Sequence, residues 1–307
     1  MYYLIYGILY LVSLLPFFVL YRLSDLAFFI IYYLVGYRKK VVFDNLGIAF
    51  PEKSKDEKNS IAKKFYRNLT DTFIETIKLL SISEKEFSKR AIMNLDKCNA
   101  IAAKGKSLQF SCGHQMNWEY GNWVMSKNMN IPWVGVYMKI NNKAFDRLFF
   151  NLRSKKGTVL IAAHEFKARM HKVFSEPYSL GLAADQNPGV PHKAYWLYFF
   201  GKAAPFVPGP DKGAIKNNAA VVFTKFVKTK RGFYEFVPTV ITENGAELSE
   251  GELTVLYRDF LEATIRESPD NYLWSHRRWK WDYKAEYAKQ WIDVVSPPQA
   301  DRMVRVD

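Results

Sequence analysis

The chain has 307 residues, with 44 Lys and Arg against 30 Asp and Glu, a formal charge of +14, and 8 Trp, 19 Tyr and 23 Phe. That length supports one sizeable core, while two cysteines, Cys98 and Cys112, supply no disulfide framework and suit a reducing compartment. A basic balance admits nucleic acid, anionic lipid or an acidic protein partner, and nucleic acid is disfavoured because no zinc pattern, helix-turn-helix signal or ribonucleoprotein aromatic motif accompanies it.

The first feature in chain order is apolar. Tyr2 to Tyr21 is a run of twenty uncharged residues, about the length a helix needs to cross a hydrocarbon layer, and Arg22 ends it. A second uncharged stretch, Leu26 to Tyr37, is closed by Arg38, Lys39 and Lys40. No basic segment precedes the apolar core and no small-residue cleavage pattern follows it, so residues 1–37 read as a retained anchor and not as a signal peptide. Pro16 divides the first run, which predicts a kinked helix, a hairpin, or a segment lying partly in the interface. Apart from Arg22 the cations follow the apolar segments, which by the positive-inside tendency predicts that the bulk of the chain stays in the cytoplasm. Anionic lipid is then the economical partner for the positive charge.

Residues 38–295 read as one catalytic domain. Ser54-Lys-Asp-Glu57 is a capping box, and apolar residues at Ile61, Phe65, Leu69, Phe73, Ile74, Ile77 and Leu80 predict an amphipathic helix behind it. Strand-like runs recur at 107–111, 133–138, 158–162, 180–184 and 233–240. Segments of helical character lie at 143–155 and 212–228, and a further helix is predicted over 252–266. The alternation predicts an α/β fold, a mixed or largely parallel sheet flanked by helices, behind the N-terminal membrane-anchoring helix or hairpin. The segment 296–307, with Pro297-Pro298, reads as a peripheral tail.

Chemistry concentrates in Phe110-Ser-Cys-Gly-His-Gln-Met-Asn-Trp-Glu119. A buried strand, a glycine break and a helix start would leave His114 in the turn and Glu119 in the first helical turns. In that geometry the Glu119 carboxylate accepts one imidazole N–H and fixes the tautomer, and the other nitrogen takes a proton from a substrate hydroxyl. Taken alone, the pair is more often a histidine filling a polar gap beside a helix start, with Glu119 an ordinary solvated first-turn acid. Cys112 lies two residues before His114, so a thiolate–imidazole couple is a rival, against the commoner buried structural cysteine. The remaining histidines show no zinc spacing, and no metal is expected.

Other candidates follow from position. Arg153 suits a developing oxyanion or an acceptor phosphate, or is simply an exposed helix cation beside Lys155 and Lys156. Asp185 and Gln186 follow the small-residue strand Leu180–Ala184, so they would emerge at a strand end lining a cleft, or else cap a turn. Trp274-Ser-His-Arg-Arg-Trp-Lys-Trp281 mixes indoles with cations, which suits a membrane interface with His276, Arg277, Arg278 and Lys280 on an anionic glycolipid; ordinary amphipathic packing is the alternative.

The run Gly113–Glu119 resembles the first block of the lysophospholipid and glycerolipid acyltransferase superfamily, and more closely its lipid A biosynthesis branch, the late or secondary acyltransferases of Gram-negative bacteria. Further blocks match in order: Asn45–Glu52; Val136-Tyr137, Asn141-Asn142, Arg153 and Gly157; Ala184–Pro188 with Phe199–Gly201; and Asn271–Lys280. The match runs from about residue 40 to 281. The resemblance implies a glycerolipid-acyltransferase-like fold and transfer of a fatty acyl chain from acyl carrier protein, or coenzyme A, to a hydroxyl of a lipid A precursor. His114 would be the base, Glu119 its orienting acid, and Asn117 and Trp118 would touch substrate. No cofactor beyond the thioester donor is expected. Cys112 before the glycine and Asn187-Pro188-Gly189 after the Asp-Gln pair depart in detail, leaving acceptor and chain length open. An acyltransferase for lysophospholipid, aminolipid or another glycolipid, and a non-catalytic lipid-binding protein on the same fold, are the competing readings.

Overall fold

The computed structural model describes residues 1–166, 168–169 and 175–298. His171, and residues 299–307 of the expected tail, lie outside the described residues. Pro16, with no backbone N–H to donate, ends helix α1 (Tyr2–Leu14) and starts α2 (Phe17–Phe29). α2 runs on through a π-helical turn at Ile30–Val35 that closes on Gly36 in the left-handed region. The break therefore falls at residues 15–16, where Pro16 predicts it, and among the described residues the helix long and apolar enough to span a bilayer is Phe17–Val35, which runs through Arg22 and Asp25.

After α3 (Lys39–Ala49), the predicted capping box opens α4 (Lys55–Lys78). The Ser54 hydroxyl accepts from Glu57 N–H, and the Glu57 carboxylate accepts from Ser54 N–H. α4 carries α2 on one side. The Ser24 hydroxyl donates to Asp71 at 2.8 Å, and the Tyr21 hydroxyl to Glu75 at 3.0 Å. Leu20, Ser24 and Phe28 are buried by this docking, whereas Phe18, Leu26, Phe29 and Leu34 remain exposed.

The sheet is mixed and mostly parallel. Its strands are β1 (Ala91–Met93), β2 (Leu108–Cys112), β3 (Trp133–Tyr137), β4 (Val159–Ala162), β5 (Ser179–Ala183), β8 (Ala220–Lys230) and β9 (Phe233–Thr242), in the order β1-β9-β8-β2-β5-β3-β4. Only the β8–β9 hairpin is antiparallel. A second hairpin, β6 (Tyr195–Phe199) and β7 (Lys202–Phe206), turns at Phe200-Gly201, both with positive φ. The helices α5 (Glu84–Arg90), α6 (Asp96–Ala103), α7 (Trp118–Asn128), α8 (Lys143–Ser154), α9 (Gly209–Lys216) and α10 (Glu252–Glu267) complete the layers.

One expectation fails here. The helical reading of 212–228 holds only to Lys216; Asn218 adopts a left-handed φ of 44°, and from Ala220 the chain is strand. Val221, Val222 and Phe223 are buried on both faces between β2 and β9, and such a strand shows no alternation to distinguish it from a helix. The main core packs Phe65 and Leu69 of α4 against Leu46 of α3, Phe199 and Phe206 of the second hairpin, and Leu261 and Ile265 of α10. Trp274 and Trp279 belong to the same core, so the expected interfacial indole belt is in fact largely internal.

Candidate active site

β2 ends at Cys112, and Gly113 turns the chain so that His114 stands at the carboxyl end of the sheet. The C-terminal block straps this turn in place. Leu273 N–H donates to His114 C=O at 3.1 Å, Gln115 bridges Tyr272, and Met116 N–H reaches the Asn271 side-chain oxygen at 3.2 Å. Asn271 in turn donates to Phe226 C=O of β8. The Asn45 amide donates to the carbonyls of Trp274 and His276, at 2.8 and 2.7 Å, so two sequence blocks more than 220 residues apart meet behind the same loop.

The acid that meets His114 is Asp185. Its Oδ1 lies 2.6 Å from His114 Nδ1. β2 and β5 are parallel neighbours with Cys112 opposite Ala183, and two residues beyond each strand stand His114 and Asp185. The Tyr257 hydroxyl ties the two strand ends, donating to Cys112 C=O at 2.6 Å and accepting from Ala184 N–H at 3.2 Å. Asp185 is 1% exposed and also receives the Tyr272 hydroxyl. Burial alone would raise its pKa, yet the charge and hydrogen bonds of His114 hold it below the usual carboxylate value. Burial would likewise depress His114, but the Asp185 charge and hydrogen bond outweigh it and set the imidazole above its ordinary value. His114 Nε2 makes no hydrogen bond among the described residues, and a quarter of the side chain is open to solvent.

Glu119 is not the histidine's partner, which corrects the expectation. It does lie in the first turn of α7, but its carboxylate faces the last turn of α8 and is clasped by Arg153. Arg153 Nη2 donates to Oε1 at 2.6 Å and Nε contacts both oxygens, with Trp118 Nε1 adding a bond at 3.1 Å. A bidentate guanidinium saturates a carboxylate better than one imidazole N–H. Arg153 Nη1 has no hydrogen-bond partner among the described residues.

The other candidates divide. Trp118 sits edge-on to the imidazole, with ring centroids 6.1 Å apart. Asn117 is buried and structural: it caps α7 through Tyr120 N–H and donates to Glu75. His276 is also structural, its Nε2 accepting from Asn187 N–H, and burial lowers its pKa to about 4, so it is neutral. Arg277 and Lys280 are exposed, the latter 4.3 Å from the Trp281 ring centre, and Gln186 is half-buried. Arg278 is different. It is 1% exposed, lies over Phe199 and Phe206, and its Nε and Nη2 have no hydrogen-bond partner among the described residues. Burial presses its pKa below the ordinary arginine value, with Tyr272 and Asp185 near enough to favour the cation. Burial also pushes the Cys112 thiol up to about 12, which removes the thiolate needed for a covalent acyl-enzyme.

The family model for bacterial lipid A biosynthesis acyltransferases matches residues 1–281. The chain belongs to that family. This acyltransferase is 24% identical over 279 residues to the lipid A biosynthesis lauroyltransferase of Escherichia coli (strain K12), covering 89% of each chain. To the palmitoleoyltransferase of the same strain, and to a lipid A biosynthesis acyltransferase of Shigella flexneri, it is 21% identical over 277 residues, again covering 89% of each. The sequence offers Asp185 as a cleft-lining residue or a turn cap, not as the partner of His114, and gives no sign of Tyr257. The pairing of strands β2 and β5, not any local spacing, brings Asp185 to His114, and α10 delivers the Tyr257 hydroxyl to the two strand ends.

Proposed function

We propose that this acyltransferase moves a fatty acyl chain from the thioester of acyl carrier protein, or coenzyme A, to a hydroxyl of a lipid A precursor at the cytoplasmic face of the inner membrane. The buried Asp185 on His114 Nδ1, with Nε2 open, is the observation that carries the chemistry. Asp185 holds the proton on Nδ1, so Nε2 is the free base. As the acceptor oxygen attacks the thioester carbonyl, His114 Nε2 takes its proton; as the carbon–sulfur bond breaks, the imidazolium returns that proton to the departing thiolate. Asp185 stabilises the cation in between.

The carbonyl oxygen, negative during attack, needs donors, and each such donor is worth roughly 10²- to 10³-fold in rate. Arg278, buried with Nε and Nη2 unpaired among the described residues, suits an anionic oxygen, and Arg153 has Nη1 to offer once Glu119 has fixed its fork. The exposed apolar side chains of α1 and α2, among them Leu4, Leu11, Phe18 and Leu26, support seating on a lipid surface, with the docked face of α2 kept on the protein.

The test is transfer of a labelled acyl chain from acyl carrier protein to a Kdo-bearing lipid A precursor by membranes carrying the wild type or His114→Ala. Transfer abolished in the variant supports the base. Wild type inactive on this acceptor but active on a lysophospholipid would sink the lipid A reading, and an active variant would sink the mechanism.

A further inference from the structure

A second charged cleft, of about 350 Å³, opens where α2 and α4 meet the tip of the β8–β9 hairpin. Lys64, Arg67, Lys228, Lys230 and Arg231 line it. Lys228 and Arg231 are held by the buried Asp71, and Arg231 also by Asp25. Lys64, Arg67 and Lys230 have no carboxylate partner among the described residues; Arg67 lies over the Phe28 ring and Lys230 over the Phe233 ring. With Asp270 the third acid, five cations face three carboxylates, which leaves the lining net positive. None of these residues hydrogen-bonds His114, Asp185, Glu119 or Arg153.

The cleft adjoins the apolar face of α2. Asp25 on its rim is seven residues after Phe18 and four before Phe29, so the three share one side of the helix, and Phe18 and Phe29 are 73% and 49% exposed. A cationic hollow bordered by exposed aromatics fits an amphiphile that has a phosphate head and acyl tails. We infer that this cleft binds the phosphate of a membrane-seated lipid, apart from the reaction centre. The inference rests on the lipid seating of α1 and α2 proposed above. Such a phosphate has two sources, the bulk anionic phospholipid or a phosphate of the acceptor glycolipid remote from its reacting hydroxyl.

Flotation of the full-length protein with phosphatidylcholine vesicles, with and without phosphatidylglycerol, tests it in wild type and in Lys64→Gln/Arg67→Gln/Lys230→Gln, with acceptor kinetics alongside. At roughly fivefold per cation near an anionic surface, the triple variant should lose about 10²-fold in affinity. Loss confined to anionic vesicles assigns bulk phospholipid. A raised KM for a phosphate-bearing glycolipid acceptor, at unchanged kcat, assigns the acceptor. Both unchanged would overturn the inference. If the triple variant melts early, Lys64→Glu/Lys230→Glu, which leaves Arg67 on Phe28, replaces it. Wild type that floats with neither vesicle defeats the lipid seating instead; titration with micellar short-chain phosphatidic acid then decides the cleft, binding lost in the variant supporting it and equal binding overturning it.

Discussion

Asp185→Asn isolates the acid from the shape of the site. The amide fits the same volume, but it carries no charge and can turn its NH₂ toward His114 Nδ1, forcing the ring proton onto Nε2, where the base must be bare. The wild-type contact is 2.6 Å, at the short end for a charge-assisted bond, and Asp185 is screened from water. A positioned general base supplies about 10²- to 10⁴-fold in rate, or about 3–5 kcal/mol of barrier, and the variant should forfeit most of that. The pH profile carries a second signature. Transfer needs neutral His114, so activity falls as pH drops through its pKa, which Asp185 holds above the ordinary imidazole value against the opposing effect of burial. Without the carboxylate, burial wins and the acid limb of kcat/KM should move below about pH 6.5. Measured from about pH 5 to 9, an Asp185→Asn enzyme within tenfold of wild type and with its acid limb unmoved would refute the dyad. A larger displacement in Glu119→Gln than in Asp185→Asn would restore Glu119 as the orienting acid.

Arg278→Met should leave the melting temperature level or higher, because it removes a buried cation lacking an ion-pair partner, while transfer drops by roughly 10²-fold; calorimetry with an acyl-transfer assay separates the two effects, and undiminished transfer defeats the role. Tyr257→Phe deprives Cys112 C=O of its donor and Ala184 N–H of its acceptor, and should cost about 1–3 kcal/mol in denaturant unfolding along with part of kcat. Cys112→Ala should retain transfer within a few-fold and form no thiol-linked acyl adduct by mass spectrometry, since the thiol stays protonated.

Local signals in the sequence were those that local physics controls. The Ser54 capping box, the 252–266 helix, and the strand–glycine–helix turn around His114 each depend on residues within a few positions of one another, and each forms as read. The errors came where partners are distant. Asp185 reaches His114 across 71 positions through strand register, and Glu119 found a better donor 34 positions away on α8. β8 was hidden because burial on both faces erases the alternation that reveals a strand. The indoles of Trp274 and Trp279 were placed at the surface because composition cannot tell an interfacial tryptophan from one packed under a loop.

Glu75 has a practical consequence for anyone seeking a water-soluble short form. It is fully buried, and its three hydrogen-bond donors among the described residues are Tyr21 of α2, Tyr234 of β9 and Asn117 at the head of α7, three residues after His114. Trimming the apolar leader would take away the Tyr21 donor and the Ser24 bond to Asp71 together, uncovering two buried acids in the C-terminal part of α4. A trimmed enzyme that lost turnover would then say nothing about lipid dependence, because the same cut loosens the cap of α7, next to the His114 turn. Substituting the outward Phe18, Leu26 and Phe29 with polar residues keeps that inner stitching and gives the cleaner route to solubility.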